Sequence, residues 1–64
     1  MNTETHQLMT MAEVAEMTRI PENTLRYYRH KETGPKSAKI GGRVMYRRAD
    51  VDAWINEAFD KAAS

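Results

Sequence analysis

The sequence predicts a mainly α-helical domain with one small β-hairpin, in the order helix, helix, hairpin, helix. Apolar residues recur at helical spacing in three segments, and a short stretch between the second and third segments alternates around Gly41-Gly42. With 64 residues, we expect one domain with a modest core. We place it at residues 8–60, between a flexible N-terminal tail at 1–7 and a C-terminal tail at 61–64.

The first helix begins after Thr10. Thr10 and Glu13 have the spacing of a capping box, in which each side chain accepts a hydrogen bond from the backbone N–H of the other. Met9 and Val14 have the spacing of a hydrophobic staple. We expect this helix to end near Thr18.

The second helix is predicted from about Glu22 to Glu32, because Pro21 is tolerated at a helix start but cannot continue the first helix. Leu25, Tyr28 and the stem of Arg29 form its inward face. Gly34 followed by Pro35 indicates a C-cap and a stop. Two short helices joined by three or four residues are typical of a helix-turn-helix.

The hairpin joins strands at 38–40 and 44–46, and each strand is so short that it must pack on the helices. In the last helix, an apolar stripe follows the spacing i, i+3, i+4, i+7, i+8: Val51, Trp54, Ile55, Ala58 and Phe59. We expect Trp54 to fill the gap to the first two helices and Phe59 to be partly exposed. The complete order predicts a winged helix-turn-helix.

Charge is segregated along the chain. Residues 1–18 carry three acids and no Lys or Arg (−3), residues 19–48 carry nine bases and two acids (+7), and residues 49–64 carry one base and four acids (−3). A basic centre between acidic ends indicates a surface that faces a polyanion. A solvated charged surface is the alternative interpretation.

The outer face of the second helix carries hydrogen-bonding groups without an acid, since Glu22 and Glu32 lie at the helix ends. Arg can read guanine bidentately and Asn can read adenine, whereas Tyr, Thr and Lys suit phosphate contacts. The alternatives are that Asn23 and Thr24 serve the helix start and that Tyr27 packs on the hairpin. The candidate contacts on this helix are Asn23, Thr24, Arg26, Tyr27, His30 and Lys31.

The hairpin tip is a second candidate site. Gly42 allows close backbone approach, and Arg43 beside it suits a narrow minor groove. Lys39, Arg47 and Arg48 would flank the tip as phosphate contacts. The alternative for Arg48 is an ion pair with Asp52, one turn along the last helix. A plain turn with a solvated Arg43 is the alternative.

The residues exclude several other classes of site. There is no cysteine, and His6 and His30 lack the spacing of a metal pair, so we expect no metal and no cofactor. The chain is too small to enclose a catalytic pocket, so we expect no enzyme. It has no apolar run long enough for a membrane span and no signal peptide, which predicts a cytoplasmic protein without a membrane partner.

Two motifs carry a resemblance to known families. The stretch Pro21–Tyr28 (PENTLRYY) resembles the recognition helix of MerR-type regulators, and Lys39–Ile55 (KIGGRVMYRRADVDAWI) closely resembles the wing and last helix of small phage excisionases, those of actinobacterial phages in particular. Excisionases are recombination directionality factors, which bind and bend attachment-site DNA for an integrase. The resemblance implies double-stranded DNA, a phage integrase and neighbouring copies of the chain as partners in a bacterial host cell. It implies that the second helix lies in the major groove and the wing in the adjacent minor groove. Thr24, Arg26 and Tyr27 would then be major-groove or phosphate contacts, and Arg43 would be the wing contact.

The chain departs from this family pattern at three turns. Arg19 replaces a usual Gly, Pro21 replaces a usual Ser or Thr cap, and the glycine expected near Glu32 comes at Gly34. The chain also ends where a full MerR regulator continues, so we expect no small-molecule effector.

Two other functions remain open at this point. A small phage or prophage transcription regulator would use the same surface. A protein-interaction module whose basic surface meets an acidic partner is less favoured.

Overall fold

The computed structural model describes residues 7–63, which form three helices and a three-stranded antiparallel sheet of order β1-β3-β2. This confirms the predicted winged helix-turn-helix. Residues 1–6 of the predicted N-terminal tail lie outside the described residues. The elements are β1 (Leu8–Thr10), α1 (Met11–Thr18), α2 (Glu22–His30), β2 (Ala38–Ile40), β3 (Arg43–Arg47) and α3 (Arg48–Ala63).

Strand β1 is an element that the sequence did not predict. It pairs with β3 in the register Met9↔Tyr46, and three residues are too few for alternation to reveal a strand. Directly before β1, the carbonyl of Gln7 accepts a hydrogen bond of 3.0 Å from the backbone N–H of Arg48. The residue before β1 is therefore bonded to the start of α3.

Helix α1 begins with the predicted capping box. Thr10 N donates to Glu13 Oε1 at 2.8 Å, and Glu13 N donates to Thr10 Oγ1 at 3.2 Å. Met9 and Val14 are both buried, as the staple requires. The helix ends at Thr18 as predicted, and Arg19 follows it in the left-handed conformation (φ 64°).

Helix α2 starts at the predicted Glu22 but ends at His30, two residues early. Glu32 N donates to Arg29 O and Thr33 N donates to Tyr28 O, which is the Schellman pattern with Glu32 in the left-handed conformation (φ 60°). The prediction that Gly34 caps this helix is therefore wrong. Gly34 also has a positive φ (77°), and a Cβ there would lie 3.0 Å from Tyr28 Cβ, so glycine permits a close approach.

The hairpin has the predicted two-residue turn. Gly41 and Gly42 have φ values of 60° and 83°, and positive φ at both central residues defines the type I′ turn that suits twisted strands. Ile40 pairs with Arg43 next to this turn. All three residues of β2 are exposed, so β2 extends the sheet without entering the core.

The core is small, and five of the six elements contribute to it. Helices and sheet enclose five buried apolar side chains, and each of them comes from a different element. The half-buried side chains of Ile20, Tyr28 and Ile55 are among those packed around it. The five are Met9 (β1), Val14 (α1), Leu25 (α2), Tyr46 (β3) and Val51 (α3).

The apolar stripe of α3 is buried only in its first half. Val51 is fully buried and Trp54 is half-buried, with its ring centroid 6.2 Å from that of Tyr28, but Phe59 is 71% exposed. A helix of 16 residues is about 24 Å long, and its residues from Asn56 to Ala63 are all exposed. The helix continues to Ala63, through residues predicted as a tail.

Replacing Glu32 by glycine should stabilise the protein. The left-handed conformation strains a residue with a Cβ, so we expect Glu32→Gly to raise the free energy of unfolding by roughly 1 kcal/mol. Urea denaturation measures this change. The matched control is Glu16→Gly in the interior of α1, which should lower that free energy by about 1 kcal/mol. A loss of stability in both variants would contradict the role of strain.

Candidate nucleic-acid interface

Helix α2 presents two different faces. Inward, Leu25 is buried, Tyr28 packs on Trp54, and Arg29 Nε donates to Ser37 Oγ at 3.0 Å. This confirms the predicted inward face. Outward, four candidate residues at the spacing i, i+3, i+4, i+7 are exposed: Asn23, Arg26, Tyr27 and His30.

The two remaining candidates of this helix lie at its sides. Thr24 is half-buried, and Lys31 is exposed at the C-cap, where its backbone N–H donates to Tyr27 O at 3.0 Å. The N-cap is Pro21, which offers no side-chain hydrogen bond. Within residues 7–63, the side chains of Asn23 and Thr24 make no hydrogen bond to the helix start, so their polar groups remain available.

The wing meets the outer face of α2 at a shared groove. Arg26 of α2 and Arg43 of β3 both line this groove of about 320 Å³, together with Glu22, Val44 and the start of α1. Lys39 pairs with Val44 across the hairpin and is exposed, and Gly42 is exposed beside Arg43. The fold thus brings a candidate residue of the helix and one of the wing, far apart in sequence, to one surface.

Arg47 lies apart from this groove. Its Nε is 2.6 Å from Asp50 Oδ2, and it lines a different groove with Leu8 and Ile40 on the outer side of the sheet. Sequence reasoning missed this ion pair, although the i, i+3 spacing at the start of α3 was a signal for it. The alternative pairing of Arg48 with Asp52 is present, with a separation of 3.4 Å.

The helix-turn-helix domain family model matches residues 8–58, most of the chain. The chain belongs to this helix-turn-helix family. The family includes excisionase-like small DNA-binding proteins and is typically non-enzymatic, so DNA binding is the activity that membership indicates. The comparisons with curated proteins and with solved structures found no match.

The described residues of this helix-turn-helix chain lack the features of two other kinds of site. Within residues 7–63, no helix combines the length and apolar character that crossing a bilayer requires. The same part of the chain contains no cluster of His, Cys, Asp or Glu side chains suited to a metal ion.

A polar link through Ser37 connects the two halves of the helix-turn-helix interface. The Ser37 hydroxyl accepts from Arg29 of α2 and is also hydrogen-bonded to the buried Tyr46 of β3. Because β3 carries the wing and α2 carries the outer face, this link connects the two parts of the interface. Sequence reasoning missed Ser37, since a lone serine before a strand carries no signal for such a contact.

The same environment shifts the titration of Tyr46. Burial raises the pKa of Tyr46 above its ordinary value of 10.0, although the nearby charge of Arg29, the hydrogen bond from Ser37 and the charge of Arg26 oppose the shift. The neutral phenol is therefore the form that the fold prefers.

This shift predicts a loss of stability at alkaline pH. Tyr46 of the unfolded chain loses its proton at about pH 10 and the folded one at higher pH, so its contribution is complete below pH 10 and lost as pH rises through the folded-state pKa. Urea denaturation from about pH 8 to about pH 11 should show a shallower decline for Tyr46→Phe than for the native chain. Tyr27→Phe, at an exposed tyrosine, should retain the native decline. Equal slopes for the Tyr46→Phe variant and the native chain would contradict the prediction.

Proposed function

We propose that this chain is a sequence-specific architectural DNA-binding protein of the excisionase type, which binds and bends attachment-site DNA to direct excision by an integrase. The observation that carries the proposal is the shared groove of Arg26 and Arg43. The outer face of α2 is basic and rich in hydrogen-bonding groups, which suits a major groove. The glycine-tipped hairpin lies on the same side of the domain and suits the adjacent minor groove.

In this proposal, α2 lies in the major groove. Arg26 has an exposed guanidinium that can bind the O6 and N7 atoms of guanine, and Asn23 can bind adenine. Tyr27 and His30 continue the same exposed face. Thr24 and Lys31, at its edges, contact phosphates, which set the register of the protein on the duplex.

The wing then enters the neighbouring minor groove. Gly42 has no side chain to obstruct the backbone, and Arg43 forms no ion pair within residues 7–63, so its charge is available to a narrow groove. Lys39 contacts a flanking phosphate. Arg47 contributes less than the others, because Asp50 already neutralises much of its charge.

The architectural part of the proposal follows from size. Bending a short DNA site costs roughly 1–6 kcal/mol. The DNA contacts of one small domain offset only part of this cost. Several copies on adjacent sites share this cost, so neighbouring copies and an integrase are the expected partners. The resemblance of Lys39–Ile55 to small phage excisionases supports this reading over other DNA-binding roles.

A small phage or prophage transcription regulator would use the same surface. A gel-shift titration at fixed salt separates the two functions, with the attachment-site region of the parent genome, a promoter fragment and a random duplex as probes. A ladder of shifted species on attachment DNA alone is the expected result. A single shift on the promoter alone would favour the regulator, and equal binding to all three probes would contradict sequence-specific recognition.

Loss of the Arg26 side chain should reduce both affinity and specificity. Arg26→Ala removes a bidentate base contact, which costs about 1–3 kcal/mol of binding free energy and relaxes the preference at one base pair. Titration against the preferred duplex and its single-base variants measures both effects. Unchanged affinity and unchanged base preference would show that Arg26 does not contact a base.

Loss of the Arg43 side chain should weaken binding to sites with a narrow minor groove. We expect Arg43→Ala to reduce the affinity for an A-tract-containing site more than for a matched site without the A-tract. Arg47→Ala is the matched control, because it removes an arginine from the same strand that is already paired with Asp50, and its effect should be smaller. If the two variants lose equal affinity, the wing tip has no special role.

A further inference from the structure

An acidic side chain lies inside the groove proposed to face DNA. Glu22 is the first residue of α2, and the sequence predicted that it lies at the helix end, outside the outer face. In the structure its Oε1 lies 3.9 Å from a terminal nitrogen of Arg26, and it lines the same groove as Arg26 and Arg43. A carboxylate in this place repels the phosphates of DNA.

Stability does not explain this carboxylate well. The side chains of Glu22 and Arg26 are 49% and 66% exposed, and exposed ion pairs of this type contribute little to folding. The dipole of α2 also favours an acid in the first turn, but that preference is weak and would be met by an acid pointing away from the groove. The geometry instead joins Glu22 to the side chain proposed to read a base.

The guanidinium of Arg26 has enough donors for two partners at once. It carries five N–H groups in a rigid fork, and a bidentate contact to guanine uses two of them. The remaining edge can stay beside Glu22, whose carboxylate attracts it through charge at 3.9 Å, in a complex with the correct base. When the Arg26 guanidinium binds a phosphate instead, it moves away from Glu22. The Glu22 carboxylate then lies unpaired beside the negative charge of that phosphate.

We infer that Glu22 is a specificity-determining residue, which holds the Arg26 guanidinium toward a base edge and penalises phosphate contact at that point. This inference rests on the proposed sequence-specific DNA binding. It assigns discrimination between specific and non-specific DNA to the Glu22–Arg26 pair, whereas Arg26 alone would bind guanine and phosphate with less distinction.

The test compares specific and non-specific affinity. The probes are a duplex selected by the native protein from a random library and a scrambled duplex of the same composition, each titrated over a range of salt concentrations. Glu22→Gln should bind the scrambled duplex more tightly, with a salt dependence up to about one phosphate contact steeper. The ratio of specific to non-specific affinity should fall about tenfold, equivalent to the partial loss of one bidentate base contact.

Matched variants separate this role from net charge. Glu57→Gln removes the same charge from an exposed position on α3 and should leave the affinity ratio unchanged. Glu22→Asp, which keeps the charge, should retain part of the native ratio. In the Arg26→Ala background, Glu22→Gln should no longer change the ratio, because the partner that it orients is absent.

Each outcome has a distinct meaning. Equal effects of Glu22→Gln and Glu57→Gln, or an effect of Glu22→Gln that persists without Arg26, would overturn the inference while leaving sequence-specific binding intact. Failure of the native protein to enrich any duplex would instead overturn the proposed function and this inference with it. Thermal unfolding of each variant, monitored by circular dichroism, verifies that all of them are folded.

Discussion

The fold depends on a five-residue core to which each of five elements contributes one buried side chain. With so few members, none of these five elements can be displaced without opening the core to water. Tyr46 is the largest fully buried member, and its hydroxyl is paired through Ser37 rather than left without a partner. This buried tyrosine and its polar link to Arg29 through Ser37 connect the strand that carries the wing with α2.

This core also explains how the fold tolerates unfavourable residues in its turns. Arg19 and Glu32 adopt the left-handed conformation without being glycine, and Pro21 starts α2 without a side-chain cap. These are the three positions at which the sequence departs from the family pattern. The turns keep their shape because Ile20 and Leu25, on either side of Pro21, must reach the core, and their packing outweighs the local cost.

The basic residues divide into those with structural partners and those without. Arg29, Arg47 and Arg48 are bound to Ser37, Asp50 and Asp52 respectively, and two of these pairs lie at the start of α3. In the part of the chain that the structure describes, Lys31, Lys39 and Arg43 form no ion pair. The basic centre of the sequence therefore does not form one uniform positive patch. In the groove between α2 and the wing, the unpaired Arg43 lies near the carboxylate of Glu22.

The sequence by itself determined the features that depend on neighbouring residues: the capping box, the two faces of α2 and the type I′ turn at Gly41-Gly42. Their interactions span at most four residues or one helical turn, so local spacing predicts them. Only the tertiary structure decided strand β1, the Ser37 link and the position of Glu22 in the groove. These features depend on which surfaces meet after the chain folds back on itself, and nothing in the local pattern specifies a partner so distant in sequence.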